Sequence, residues 1–129
     1  MNDDFVTYEF ALKLKEKGFR MPCIAHFCCL DGNILKFNIT TDCIRGSNVK
    51  CLNGENNIYT DAPIISQVLK WLRNTYNLHV ETYPCGLEMW KFLVTNITTL
   101  EERALCDKYT SSEQAAIAGI EYVLDNLIL

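Results

Sequence analysis

Between Ile64 and Thr95 the apolar pattern changes its period, and that change limits the fold more than any other feature of the chain. In IISQVLKWLRNTY the residues Ile65, Val68, Leu69, Leu72 and Tyr76 recur every three or four positions, one stripe of a helix with Trp71 on its flank. Thr60 or Asp61 is placed to start this helix, and Pro63 is tolerated only in its first turn. Asn77 suits a C-terminal cap. LHVETY and LEMWKFLVT then read as two strands of a hairpin turning around PCG. A helical stripe feeding directly into a hairpin calls for helices laid on an antiparallel sheet.

The flanking segments repeat that logic. In TYEFALKLKEKGF, Thr7 can cap a helix, Glu9 lies in the positive first turn, and Phe10 and Leu14 share a face. Gly18 is placed for the left-handed residue after the helix, with Phe19 folding back toward Leu14. PCIAHFCCLDGNILKF then predicts strands near 23–30 and 33–39 around a DG turn. Residues 40–60 read as a long polar excursion with room for one short strand. The segment 98–109 opens like a capping box at TLEE, but its helix would be short. A final helix is expected over about 112–127, with Ala116, Ile117, Ile120, Val123, Leu124 and Leu127 inward. Its small residues, Ala115, Ala116, Ala118 and Gly119, predict the close approach of another backbone. The expected order is α-β-β-α-β-β-α, an α+β class chain. At 129 residues it fits a single globular domain, 1–129.

Charge and composition exclude several functions. Residues 1–60 hold seven acids and seven bases, and residues 61–129 hold nine acids and five bases. Neither half offers the basic stripe that phosphate backbones require, so no nucleic acid partner is expected. The opening MNDDF has no basic segment followed by an apolar one, and no apolar run approaches the length of a membrane span. A cytoplasmic protein without membrane contact is therefore expected. Phosphate-loop, dinucleotide, zinc-protease and serine-elbow motifs are all missing, and no cofactor is predicted.

Seven cysteines keep two site readings open. Cys23, His26, Cys28 and Cys29 crowd one short segment, which raises a metal cage or a thiol activated by an imidazole. Structural zinc favours two knuckles of paired ligands, and here the spacing is Cys-x₂-His-x-Cys-Cys with no second knuckle. On a strand Cys23 and His26 point to opposite faces, which leaves His26 and Cys28 to share one, with Cys43, Cys51 or Cys85 completing a cage from elsewhere. The same pair, His26 and Cys28, is the candidate for catalysis. Reduced cysteine also behaves as a small hydrophobe, and a sulfur-containing core wall is the preferred reading. His79 is expected at an edge or facing solvent.

Aromatic residues supply the remaining signal. Trp71 sits off its stripe, and MWKFL places large apolar groups on both sides of one strand. Trp71, Trp90 and Phe92 are therefore candidates for a protein-contact surface, with a strand buried on both faces as the alternative. The second half, a helix, strands and a helix led by SSEQAAIAG, resembles a double-stranded RNA-binding domain in outline. It has Glu113 and Gln114 where that module carries lysines.

FVTYEFALKLKEKGF, PCIAHF and the segment from AP through QVLKWLRNTYNLHVE together resemble a family of small uncharacterised proteins found in gut-bacterial phages, prophages and mobile elements. The likeness spans roughly residues 5–30 and 62–83 and is most specific at TYE, LKEKGF, PCIA and WLR…NLHVE. It implies a cytoplasmic accessory protein of phage or mobile-element origin. It brings no catalytic or binding residues. The expectation is a non-enzymatic domain that binds a host or phage protein or a second copy of itself. The alternative is a small-molecule or nucleotide binder, or a small hydrolase, with a pocket near the 40–60 loop and His26, Cys28 and His79 as the residues to test.

Overall fold

The computed structural model describes residues 4–37, 51–54 and 58–128. It has three helices and two small antiparallel sheets, an α+β fold with helices packed on the sheets. By internal contacts the chain divides into two compact units, Met1–Ile64 and Ile65–Leu129.

In the first unit helix α1 covers Tyr8–Glu16. The Thr7 hydroxyl accepts the Phe10 N–H at 3.3 Å, closing the N-terminus as expected. At the other end Gly18 takes φ 91°, and the Phe19 N–H reaches back to the Leu14 carbonyl at 2.9 Å, the bonding of a Schellman ending. Strands β1 (Ala25–Cys28), β2 (Ile34–Phe37) and β3 (Tyr59–Asp61) form a sheet in the order β2-β1-β3. The pairing sets Ala25 opposite Phe37 and Phe27 opposite Leu35. Rings from the start of the chain close on that face, Phe5 edge-on to Phe37 and Tyr8 edge-on to Phe27. The DG turn is present, but a 3-10 turn over Cys29–Asp31 precedes it. Strand β1 consequently ends at Cys28, and the expected end of the second strand, 38–39, lies outside the described residues. Residues 38–50 and 55–57, most of the predicted excursion, lie outside the described residues. The short strand expected within it is β3.

The second unit runs α2 (Ile65–Tyr76), β4 (Leu78–Gly86), β5 (Met89–Asn96), β6 (Glu102–Tyr109) and α3 (Ser112–Asn126), with the sheet in the order β4-β5-β6. Asn77 takes φ 56° between α2 and β4. Asp61 does not start α2: it ends β3, and Pro63 stands two residues ahead of the helix. The first hairpin of this sheet turns at Leu87–Glu88, both left-handed, rather than at PCG. PCG belongs to β4, where the register shifts between Pro84 and Gly86. The ambiguous segment 98–109 is a strand. Its pairing with β5 and the tight turn over 97–100 override the capping-box pattern. The observed order therefore gains β3 and β6 over the expected one.

Burial follows the predicted faces with two rotations. Leu14, Leu72 and Ile120 have no exposed surface, and truncating any of them to alanine is expected to cost about 2–5 kcal/mol in chemical denaturation. Trp71 is buried while Leu69 and Tyr76 are half-buried, so the α2 stripe is turned toward Trp71, which lies edge-on to Tyr76. On α3 the buried set begins at Ala115, and Ile117 and Leu127 are only half-buried. The close approach predicted at Gly119 comes from side chains, not backbone. A Cβ there would lie 2.7 Å from Val80 Cγ1 and 3.1 Å from the Phe92 ring.

Candidate functional site

Strand alternation sorts the cysteine–histidine segment as expected within β1. Ala25 and Phe27 take one face; His26 and Cys28 take the other, opposite Asp61 and Tyr59 on β3. Cys28 is buried, and the half-buried His26 ring lies edge-on to Tyr59 at 5.2 Å. Cys23 is buried and donates to the Met21 carbonyl at 3.4 Å. Cys29 lies beyond β1, in the 3-10 turn, and is exposed. The four residues are thus divided between interior, sheet face and surface. Of the cysteines that were to complete a cage, Cys51 is in the first unit, Cys85 is an exposed residue of the second, and Cys43 lies outside the described residues. Among the described residues no three His, Cys, Asp or Glu side chains gather where they could hold one metal ion.

The chemistry that does concentrate there centres on Asp61, which sequence reasoning treated only as a helix start. Asp61 is fully buried. Its Oδ2 accepts the N–H of Leu52 at 2.9 Å and of Asn53 at 3.0 Å. Asn53 answers in kind: its Oδ1 accepts the Asp61 N–H at 2.9 Å, and its Nδ2 donates to the Phe19 carbonyl at 2.9 Å. Asp61 Oδ1 has no hydrogen-bond partner among the described residues. Burial raises the Asp61 carboxyl above its ordinary range, opposed by the two N–H bonds, the nearby Cys51 thiol and His26. The same surroundings push the thiols up. Burial is the main cause for both Cys23 and Cys51, and the Asp61 carboxylate adds to it. A nucleophilic cysteine needs a cationic neighbourhood that favours thiolate; Arg20 acts in that sense on Cys51, but burial and the Asp61 carboxylate outweigh it. The arrangement works as a clamp, tying the turn at residues 52–54 to the end of β3. The NG dipeptide at 53–54 marked the turn, but nothing in the sequence paired it with Asp61.

In the second unit the face of the sheet away from α3 carries His79, Glu81 and Tyr83 at alternate positions of β4. His79 Nε2 lies 2.5 Å from Glu81 Oε1, and the Tyr83 hydroxyl donates to Glu81 Oε2. The Tyr83 hydroxyl, and then His79, hold the Glu81 carboxyl below its usual range. His79 is partly exposed, consistent with the expected edge position. Beside this row is an open depression lined by Tyr83, Pro84, Lys91 and Leu93.

The aromatic candidates separate. Trp71 and Phe92 are buried, the former by α2 packing and the latter beneath α3, where its ring meets Tyr122 at 6.0 Å. Neither presents its ring on the surface of the described structure. Trp90 alone of the three is half-buried. Exposed apolar side chains are found elsewhere: Leu30, Ile34 and Phe37 in the first unit, Leu87 and Leu100 in the second.

The second unit has the α-β-β-β-α order of a double-stranded RNA-binding module. Its α3 begins Ser112-Glu113-Gln114, without the cations that would grip phosphate. Order alone carries no function. No described helix is long and apolar enough to cross a membrane. No family model, curated protein or solved structure matches the chain.

Proposed function

We propose that the chain is a non-enzymatic interaction protein of phage or mobile-element origin, acting in the cytoplasm on a host or phage protein or on a second copy of itself. The observation that supports this reading is strand β2. Among the described residues it lies at the edge of its sheet, and it exposes apolar side chains toward both faces, Ile34 at 58% and Phe37 at 49% of full exposure. Leu30, at 73%, adds to the same end of the unit. An apolar edge strand is a template for another extended segment, with backbone pairing giving affinity and alternate side chains giving specificity. Soluble chains ordinarily blunt such edges with charge, and β2 has one lysine, Lys36.

Light scattering on size-fractionated protein tests the reading, with wild type compared to Ile34→Lys/Phe37→Lys. Self-association that the double variant abolishes is the expected result. A strictly monomeric wild type that captures nothing from a lysate of phage-bearing cells would contradict it.

A further inference from the structure

The second unit holds a cavity of about 230 Å³ at the end of the sheet where α2 and α3 finish. Its apolar part is Leu78, Val94 and Leu127, and its polar part is Asn96, Glu101 and Arg103, with Tyr76 at the side. The volume is below the roughly 300–1,000 Å³ of sites for drug-sized ligands, so it suits a molecule of about the size of one amino acid.

The polar groups are held ready. The Asn96 Oδ1 accepts the N–H groups of Thr98 at 2.9 Å and Thr99 at 3.1 Å, which fixes the amide of a residue that lines the cavity. The turn that follows is locked by the Leu100 N–H on the Asn96 carbonyl at 2.7 Å and the Ile97 N–H on the Asn77 carbonyl at 2.8 Å. It keeps Leu100 at φ 63°, a conformation that leucine rarely adopts and that persists only where the surroundings dictate it. Arg103 stands opposite Val94 on the α3 side of the sheet, where one of its five N–H donors makes a long contact, 3.4 Å, with the Tyr122 hydroxyl. Glu101 is two residues away, lines the same space and is near enough to act on Arg103. A guanidinium that makes one long contact, a carboxylate beside it and an apolar floor therefore surround one small space.

From this juxtaposition we propose that the cavity binds a free apolar α-amino acid as its zwitterion. Arg103 and the Asn96 amide take the ligand carboxylate, Glu101 takes the ammonium, and Leu78, Val94 and Leu127 receive the side chain. Arginine is suited to the first role because its planar fork matches a carboxylate.

Titration calorimetry on the intact chain tests this with leucine, leucinamide and 4-methylpentanoate, each up to about 10 mM. Leucine binds the wild type. Leucinamide, which lacks the carboxylate, and 4-methylpentanoate, which lacks the ammonium, bind at least roughly tenfold more weakly. Arg103→Gln weakens leucine by a similar factor and leaves leucinamide unchanged, whereas Glu101→Gln weakens leucine and leaves 4-methylpentanoate unchanged. Both side chains are exposed, so the variants fold, and circular dichroism verifies it. No heat with leucine, equal affinity for the three compounds, or leucine binding indifferent to Arg103→Gln overturns the proposal.

Discussion

Asp61→Ala is expected to destabilise the chain by about 2–4 kcal/mol, because it strands the N–H groups of Leu52 and Asn53 in the interior. Each buried donor without an acceptor costs on the order of 1–3 kcal/mol, and relief of the buried carboxylate offsets part of the sum. Asp61→Asn retains an oxygen for those donors and should be the milder change. The two variants also differ in pH dependence. Burial raises the Asp61 carboxyl in the folded state, so the folded chain holds that proton to higher pH than the unfolded chain, whose carboxyl titrates near 3.9. This group's favourable contribution is complete below the unfolded value and is lost as pH rises through the raised folded one. Urea denaturation between about pH 4 and pH 8 should show that decline in the wild type and its absence in Asp61→Asn. A near-neutral Asp61→Ala would mean that the clamp between residues 52–54 and β3 does not form.

The second large effect is expected at Gly119. Alanine is the better helix former by about 1 kcal/mol, and on an open helix Gly119→Ala would stabilise. Here the new methyl would meet Val80 Cγ1 at 2.7 Å and the Phe92 ring at 3.1 Å. Valine is stiff about its single side-chain torsion, and Phe92 is 1% exposed, so neither can swing away. Overpacking of this kind costs about 1–3 kcal/mol, and we expect a net loss despite the gain in propensity. Val80→Ala in the same chain should recover part of it, a coupling that a double-mutant cycle in thermal or urea unfolding would measure. Independent, additive effects would show that α3 does not seat Gly119 on the sheet there.

What could be read from the sequence was local. The Thr7 cap, the Gly18–Phe19 ending and the existence of α2 and α3 are decided by neighbours within a turn or two, and the structure has them. The misplacements all depend on distant partners. Trp71 goes inward because the face that α2 buries is set by packing, and its sequence neighbours cannot say where that face lies. Strand β6 forms from a segment of modest strand propensity because β5 is there to pair with it. The turn at Leu87–Glu88 uses two left-handed residues that composition would never nominate. The candidate sites divide the same way. His26 and Cys28 sharing a face follows from alternation, but the pairing of Asp61 with residues 52–53 and the grouping of Glu101 and Arg103 with Asn96 are properties of the fold.

The central structural claim is that Cys23, His26, Cys28 and Cys29 form a wall and its margin, not a shared site. Pulsed thiol alkylation of the native chain, read residue by residue by mass spectrometry with and without chelator, tests it most directly. Cys29 and Cys85 should label at once, and Cys23 and Cys28 should label only as the chain unfolds, at rates that chelator leaves unchanged. Cys23, Cys28 and Cys29 protected together and released together by chelator would contradict the account and make that segment a metal centre.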